Sequence, residues 1–156
     1  MPDTKPVDIV SAARFVLAGD NFKPIEFSEL TGISSEFDVV EFQDNDGNGH
    51  VQLHKLPGKQ KPATIGLKRP MNSVMDLWIW HNELQLPGGY NAARRSGTLT
   101  MYDFEGSAVA AYHFFGAWPS KLSLGGLKAG ASEVMIEDVT VTCERLFRDP
   151  SVKKAV

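Results

Sequence analysis

The chain has 156 residues, 42% hydrophobic and 22% charged, which suits one domain with a substantial core and excludes a disordered polypeptide. Its formal net charge is −3, from 16 basic and 19 acidic residues, so it lacks the basic footprint that nucleic-acid binding requires. Cys143 is the single cysteine and cannot form an internal disulfide, and no apolar run approaches the ~18–20 residues that span a bilayer. The opening Met1-Pro2-Asp3-Thr4-Lys5 lacks the charged-then-apolar order of a signal peptide, which predicts synthesis in the cytoplasm and no membrane insertion by the free subunit.

Extended segments dominate in chain order. Ala13 to Leu17 and Ile25 to Leu30 are rich in aromatic and branched residues and are separated by Gly19, Asp20 and Asn21. In Ser35 to Phe42 the apolar phase switches: Phe37 and Val39 share one face, Val40 and Phe42 the other. Such a switch marks a bulge or a strand covered on both sides. From Gln43 to Pro62 runs a connection of about twenty residues, long for a compact domain. It contains Asp44-Asn45-Asp46-Gly47-Asn48-Gly49 and Lys55-Leu56-Pro57-Gly58-Lys59-Gln60-Lys61, and reads as a projecting hairpin or as a segment packed on a neighbour. Thr64 to Arg69 is a further strand. Thr98 to Tyr102 and Val109 to Phe115 form a hairpin around Asp103-Phe104-Glu105-Gly106. Near the end, Val134 and Ile136 are in one phase and Val139, Val141 and Cys143 in the other. Seven or eight strands make the chain mainly β.

One helix is expected, from Ser73 to about Gln85. Ser73 with Asp76 resembles a capping box, and Pro87-Gly88-Gly89 supplies the stop. At about 100° per residue, Val74, Leu77, Trp78 and Leu84 form one apolar face with His81. Met75, Ile79 and Trp80 fall outside it, and Asp76, Asn82 and Glu83 make a polar strip. Apolar residues over most of the circumference imply burial between a sheet and a long loop, or a partner surface.

Chemistry-bearing patterns are weak. With Gly47 sixth in a calcium loop, Phe42 and Leu53 occupy two ligand positions, so a tight turn is the better reading. His50 and His54 have a ligand spacing that works only on a helix, which the flanking glycines and Pro57 oppose. His81 and His113 read as packing histidines. There is no nucleophile elbow, Walker spacing or dinucleotide fingerprint. Neither an enzyme nor a cofactor or metal is expected.

The ordered set of landmarks resembles the inner tube proteins of contractile phage tails and phage-tail-like injection systems, from about Phe15 to Phe147. It runs through Phe27-Ser28-Glu29-Leu30-Thr31-Gly32, Val40-Glu41-Phe42, Lys55-Leu56-Pro57-Gly58-Lys59 and Ile65-Gly66-Leu67-Lys68-Arg69. After the tryptophan-bearing helix come Arg94-Arg95-Ser96-Gly97-Thr98-Leu99, Tyr102-Asp103, Ala117-Trp118-Pro119-Ser120-Lys121 and Ile136-Glu137. Gly66 and Pro70 depart from the pattern, which more often has a β-former and a glycine there.

The resemblance implies an antiparallel β-sandwich or barrel-like subunit, a single domain over 1–156 with an ordered core about 11–148 and flexible ends, and one flanking helix. Six such subunits form a ring, and rings stack into a hollow tube within a sheath, between baseplate and cap, with a lumen open to cargo. On that basis Lys55, Leu56, Pro57, Lys59 and Lys61 are expected at inter-ring or inter-subunit contacts. Asp76, Trp80, Asn82 and Glu83 are expected to face the sheath, and Glu36, Asp38, Thr98 and Thr100 the lumen. Two other readings stand beside it: a monomeric β-barrel binding a small ligand against Tyr112 to Phe115, and a capping or baseplate-proximal ring of the same apparatus.

Overall fold

The computed structural model describes residues 12–20, 22–126, 129–130 and 133–152. Of the ends expected outside the 11–148 core, 1–10 and 153–156 lie outside the described residues, as do residues 11 and 21, whereas 149–152 are described. Twelve elements occur in the order β1 (Arg14–Gly19), β2 (Phe22–Phe27), β3 (Glu29–Ser34), β4 (Phe37–Asn45), β5 (Val51–Gln60), β6 (Ala63–Pro70), α1 (Asp76–Glu83), α2 (Gly89–Ala93), β7 (Arg95–Tyr102), β8 (Ala108–Leu124), β9 (Ile136–Cys143) and β10 (Arg145–Arg148).

Strict alternation builds the two central strands. Ala63, Ile65, Leu67 and Arg69 of β6 are buried, as are Glu137, Val139, Val141 and Cys143 of β9. The strands pair antiparallel, so these residues face each other: Ala63 with Cys143, Ile65 with Val141, Leu67 with Val139, Arg69 with Glu137. Since side chains alternate across a strand, the opposite face carries Thr64, Gly66 and Lys68 against Thr142, Thr140 and Asp138.

The main sheet runs β2-β1-β7-β8-β9-β6-β3, with β10 also on β8, while β4 and β5 form a separate pair. β8 extends well past Phe115, where the sequence reading ends it. Its first part pairs with β7 and β10, and Trp118 to Leu124 pair with β9. It crosses at Gly116, whose φ of +58° is a left-handed conformation that disfavours a side chain. At the other corner β2 runs into β3 through Ser28, whose N–H donates to the Lys68 carbonyl at 3.0 Å. Two half-sheets, β2-β1-β7-β8-β10 and β8-β9-β6-β3, thus fold over one core. Leu17, Leu99 and Phe114 come from the first, Ile65, Leu67 and Val139 from the second.

α1 adds Leu77 and Trp80 to that core. It is shorter than expected, and its N-terminus has no side-chain cap; the Ser73–Asp76 box does not form. Asn72 instead accepts the Val74 N–H at 2.9 Å through Oδ1. Val74 precedes the helix, so the helical projection that put it on the buried face does not apply, and it is exposed. α1 stops at Glu83, ahead of the expected Pro87-Gly88-Gly89, and Gly88, at φ +72°, instead opens α2, an element the sequence reading lacks.

Arg69 and Glu137 form a buried ion pair at 2.8 Å, their side chains 3% and 2% exposed. Trp78 Nε1–H donates to the other Glu137 oxygen at 3.3 Å, and an Arg69 Nη2–H donates to the Val74 carbonyl at 3.2 Å. Removing one partner leaves an uncompensated buried charge, so Glu137→Leu should cost about 3–5 kcal/mol in urea unfolding. Arg69→Met together with Glu137→Leu should recover most of it; equal loss in single and double variants would contradict this account.

Candidate assembly surfaces

The long segment after β3 is the projecting hairpin β4–β5. Its turn is closed by Asp46, whose carboxylate accepts the N–H groups of Asn48 at 2.8 Å and His50 at 3.2 Å. The Asn48 bond leads in holding that carboxyl below its ordinary range. The acidic residue therefore serves the turn. His54 stacks on Phe42 at 5.0 Å between ring centroids.

Register explains the switched apolar phase. Val40 lies opposite Leu56 and Phe42 opposite His54 on one face; Val39 opposite Pro57 and Gln43 opposite Leu53 on the other, with a shift between Phe37 and Val39. Both faces present large apolar side chains to solvent, from Phe42 at 42% exposed to Val39 at 65%. An isolated two-stranded hairpin is marginal in water, and this arm carries exposed apolar residues on both of its faces. At its root the Lys61 N–H donates to the Glu36 carbonyl at 2.9 Å, and Nζ lies 3.3 Å from Glu36 and 3.5 Å from Asp38. The Glu36 bond leads in raising the ammonium pKa. Lys55 pairs with Glu41 at 3.6 Å, and Lys59 is exposed. All five expected contact residues thus lie on this arm.

The helix surface differs from expectation. Trp80 is not outward: it is fully buried, donating Nε1–H to the Ala93 carbonyl at 2.6 Å. The burial of Leu77 and Trp80, three apart, puts residue 80 on the inner stripe. Glu83 is held by both oxygens to Arg95 at 2.8 Å, and Asp76 is half-buried; Asn82 alone of the expected strip is fully exposed. Beside it stand Met75 and Ile79, both more than half exposed. His81 on the inner side bonds the Pro119 carbonyl through Nδ1 at 2.8 Å.

Glu36, Asp38, Thr98 and Thr100 do not share a surface. The two carboxylates sit at the root of the arm, whereas Thr98 and Thr100 are half-buried on β7 in the first half-sheet. The aromatic run Tyr112 to Phe115 is divided between the two faces of β8. Phe114 enters the core, while Phe115 stacks outside on Phe147 at 5.7 Å. Cys143 is fully buried, and burial pushes its thiol up to about 12, far from a nucleophile.

A fastening missed by the sequence reading lies past 148. His113 Nδ1 is 3.0 Å from Thr98 Oγ1, and Nε2 is 2.9 Å from Asp149. Ser151 donates its hydroxyl to Asp149 at 2.6 Å and its N–H at 2.9 Å.

The chain thus has two antiparallel half-sheets over one core, a projecting apolar arm and a flanking helix. The chain belongs to the T4-like virus tail tube protein gp19 family, whose sequence pattern matches residues 11–146. No curated protein matches it in sequence. Solved structures share the fold. A chain of the PVC sheath–tube complex, an extracellular contractile injection system in the extended state, is 20% identical at a TM-score of 0.70, over 90% of this chain and 91% of that one. A chain of the anti-feeding prophage tube-terminating cap is 20% identical at 0.71, over 96% and 99%. A chain of the PVC sheath/tube terminator is 20% identical at 0.72, over 93% and 99%. The family makes this chain a tail tube protein and the solved structures share its fold; no helix among the described residues is long and apolar enough to cross a membrane.

The Ser151 hydroxyl leads in depressing the Asp149 carboxyl to about 2 from an ordinary 3.8, with His113 second. The folded value is the lower one, so the stabilisation is present above the ordinary value and lost as pH falls through the depressed one. A carbon-13 titration should place the Asp149 midpoint near 2, and Ser151→Ala should move it upward. A midpoint near 3.8 in the unaltered protein would refute the fastening.

Proposed function

We propose that the chain is the main subunit of the hollow inner tube of a contractile injection apparatus, six copies closing a ring and rings stacking within a sheath between baseplate and cap. The observation that carries this reading is the second half-sheet, β8-β9-β6-β3. It has four strands in antiparallel order, and among the described residues the outer edges of β3 and of Lys121 to Leu124 in β8 have no strand partner. An even count matters: β3 runs opposite to β8, so a rotated copy offers β8 to β3 in the antiparallel sense. Repeating that contact closes a continuous barrel and removes both edges. A heterologous contact of this kind needs two different surfaces per subunit.

The arm is the second support. Leu56 and Pro57 lie on opposite faces of β4–β5 with Lys55, Lys59 and Lys61 along the same strand and its end, and we assign them to contacts within and between rings. The exposed helix row of Met75, Ile79 and Asn82, flanked by Asp76 and Glu83, is assigned to the sheath. The family role needs no bond chemistry: the subunit acts as a rigid conduit, assembled into a tail or injection particle.

Light scattering with negative-stain microscopy tests the assembly. Rings should weigh six times 17.1 kDa, about 103 kDa, and stack into hollow rods. Rings that never stack on a baseplate template would favour a capping component, and a persistent monomer would reject the ring. Leu56→Asp with Lys59→Glu should abolish rods while leaving Tm within about 3 °C, as for surface substitutions generally. Ile79→Glu with Asn82→Lys should leave rods intact and lower sheath co-sedimentation about ten-fold, the scale of 1.4 kcal/mol; unchanged sedimentation would remove the helix from that contact.

A further inference from the structure

The tube reading leaves open which broad face of the subunit borders the channel and what that face does to a passing molecule. The solvent faces of the two half-sheets differ in chemistry. That of the first carries the stacked pair Phe115 and Phe147, 41% and 51% exposed, beside His113. Apolar area of that kind retains polypeptides that slide over it. That of the second is lined by hydroxyls. Thr64 lies opposite Thr142, Thr142 Oγ1 donates to Ser120 Oγ at 2.7 Å, and Ser120 Oγ donates to the Thr140 carbonyl at 3.1 Å. Thr31 covers Gly66, where any added Cβ would collide with the Thr31 hydroxyl. The glycine thus keeps the wall flat and lets a hydroxyl replace a branched side chain.

Charge on this face cancels. Lys68 is flanked by its cross-strand neighbours Glu29 and Asp138, the latter 4.0 Å away, and Lys121 lies opposite Thr140. Two cations and two anions on this face sum to zero, as do the buried Arg69 and Glu137 of the same strands, although the whole chain is at −3. The excess negative charge is therefore carried elsewhere than on these four strands.

We infer that the solvent face of β8-β9-β6-β3 is the wall of the channel, and that it is a charge-balanced, hydroxyl-lined surface which passes polypeptide cargo without sorting it by charge. The inference rests on the tube reading. It replaces Glu36, Asp38, Thr98 and Thr100 as the wall and fits the edge geometry, because closing β3 against β8 leaves this face continuous around the ring. A wall rich in short hydroxyl side chains exchanges hydrogen bonds with water as readily as with cargo, so no one cargo group gains by stopping there. A wall of net charge would instead concentrate molecules of the opposite sign and hold them.

Two measurements on assembled rods test it. Thr64→Cys and Thr140→Cys, each on the otherwise unchanged chain, give reactive thiols because Cys143 is fully buried; Thr98→Cys serves as the contrast. Maleimide–nanogold should line the axis of Thr64→Cys and Thr140→Cys rods, and not that of Thr98→Cys rods. Gold on the outside would overturn the wall assignment while leaving the tube intact; no rods from the unaltered chain would overturn the tube reading and this inference with it. Fluorescent polypeptides of equal length carrying opposite net charge should then be retained by unaltered rods within about two-fold of each other, whereas Lys68→Glu should favour the cationic one about ten-fold. A ten-fold preference already present in the unaltered rods, or none after Lys68→Glu, would overturn the charge balance.

Discussion

The architecture depends on the buried pair of Arg69 and Glu137. Each charge would be prohibitive alone in that position, so each requires the other directly opposite across the β6–β9 ladder. Side chains alternate with a period of two, and a slip of one residue would send both charges, and with them Ile65, Leu67, Val139 and Val141, to the wrong face. The pair therefore supports the register of the central ladder. Through Trp78 and the Val74 carbonyl it also anchors the start of α1, which in turn delivers Leu77 and Trp80 to the core. Central ladder, helix and core share one electrostatic constraint.

The second half-sheet was readable where periodicity is strict: Thr64 to Arg69 and Val139 to Cys143 alternate cleanly and are the strands they suggest. The arm was readable as an anomaly, since Val39 and Val40 cannot both face one core and a segment of that length must go somewhere. What failed did so for definite reasons. Trp80 was placed outside because the projection began at Val74, a residue that is not yet helical, and so the stripe was rotated. α2 was hidden behind Gly88-Gly89, which reads as a stop although the left-handed Gly88 sits at the start of a helix. The link from His113 to Asp149 spans 36 residues, and no local pattern encodes a contact of that separation.

The surfaces form a consistent set. The inner sides of both half-sheets are committed to the core. The arm and the outer row of α1 hold much of the exposed large apolar area, and the face bearing Thr64, Thr140 and Thr142 exposes none in its central part. Sticky and non-sticky surfaces are thereby segregated on a domain of modest size. Such segregation is what the proposed ring would use, with copies meeting on some sides and another side left wet. Membership of the tail tube family supplies the context in which that division has a use.

One consequence lies in the 17 residues of β8, which pass through both half-sheets without a break in the chain. At about 3.3 Å per residue the strand measures some 55 Å along its contour. A pull along its direction loads the ladders with β7, β9 and β10 in shear, so many hydrogen bonds must yield together, whereas peeling would break them one at a time. The same strand couples the two half-sheets mechanically: strain entering one is handed across Gly116 to the other. Under a load along that direction, the strength of the domain is that of its longest continuous strand.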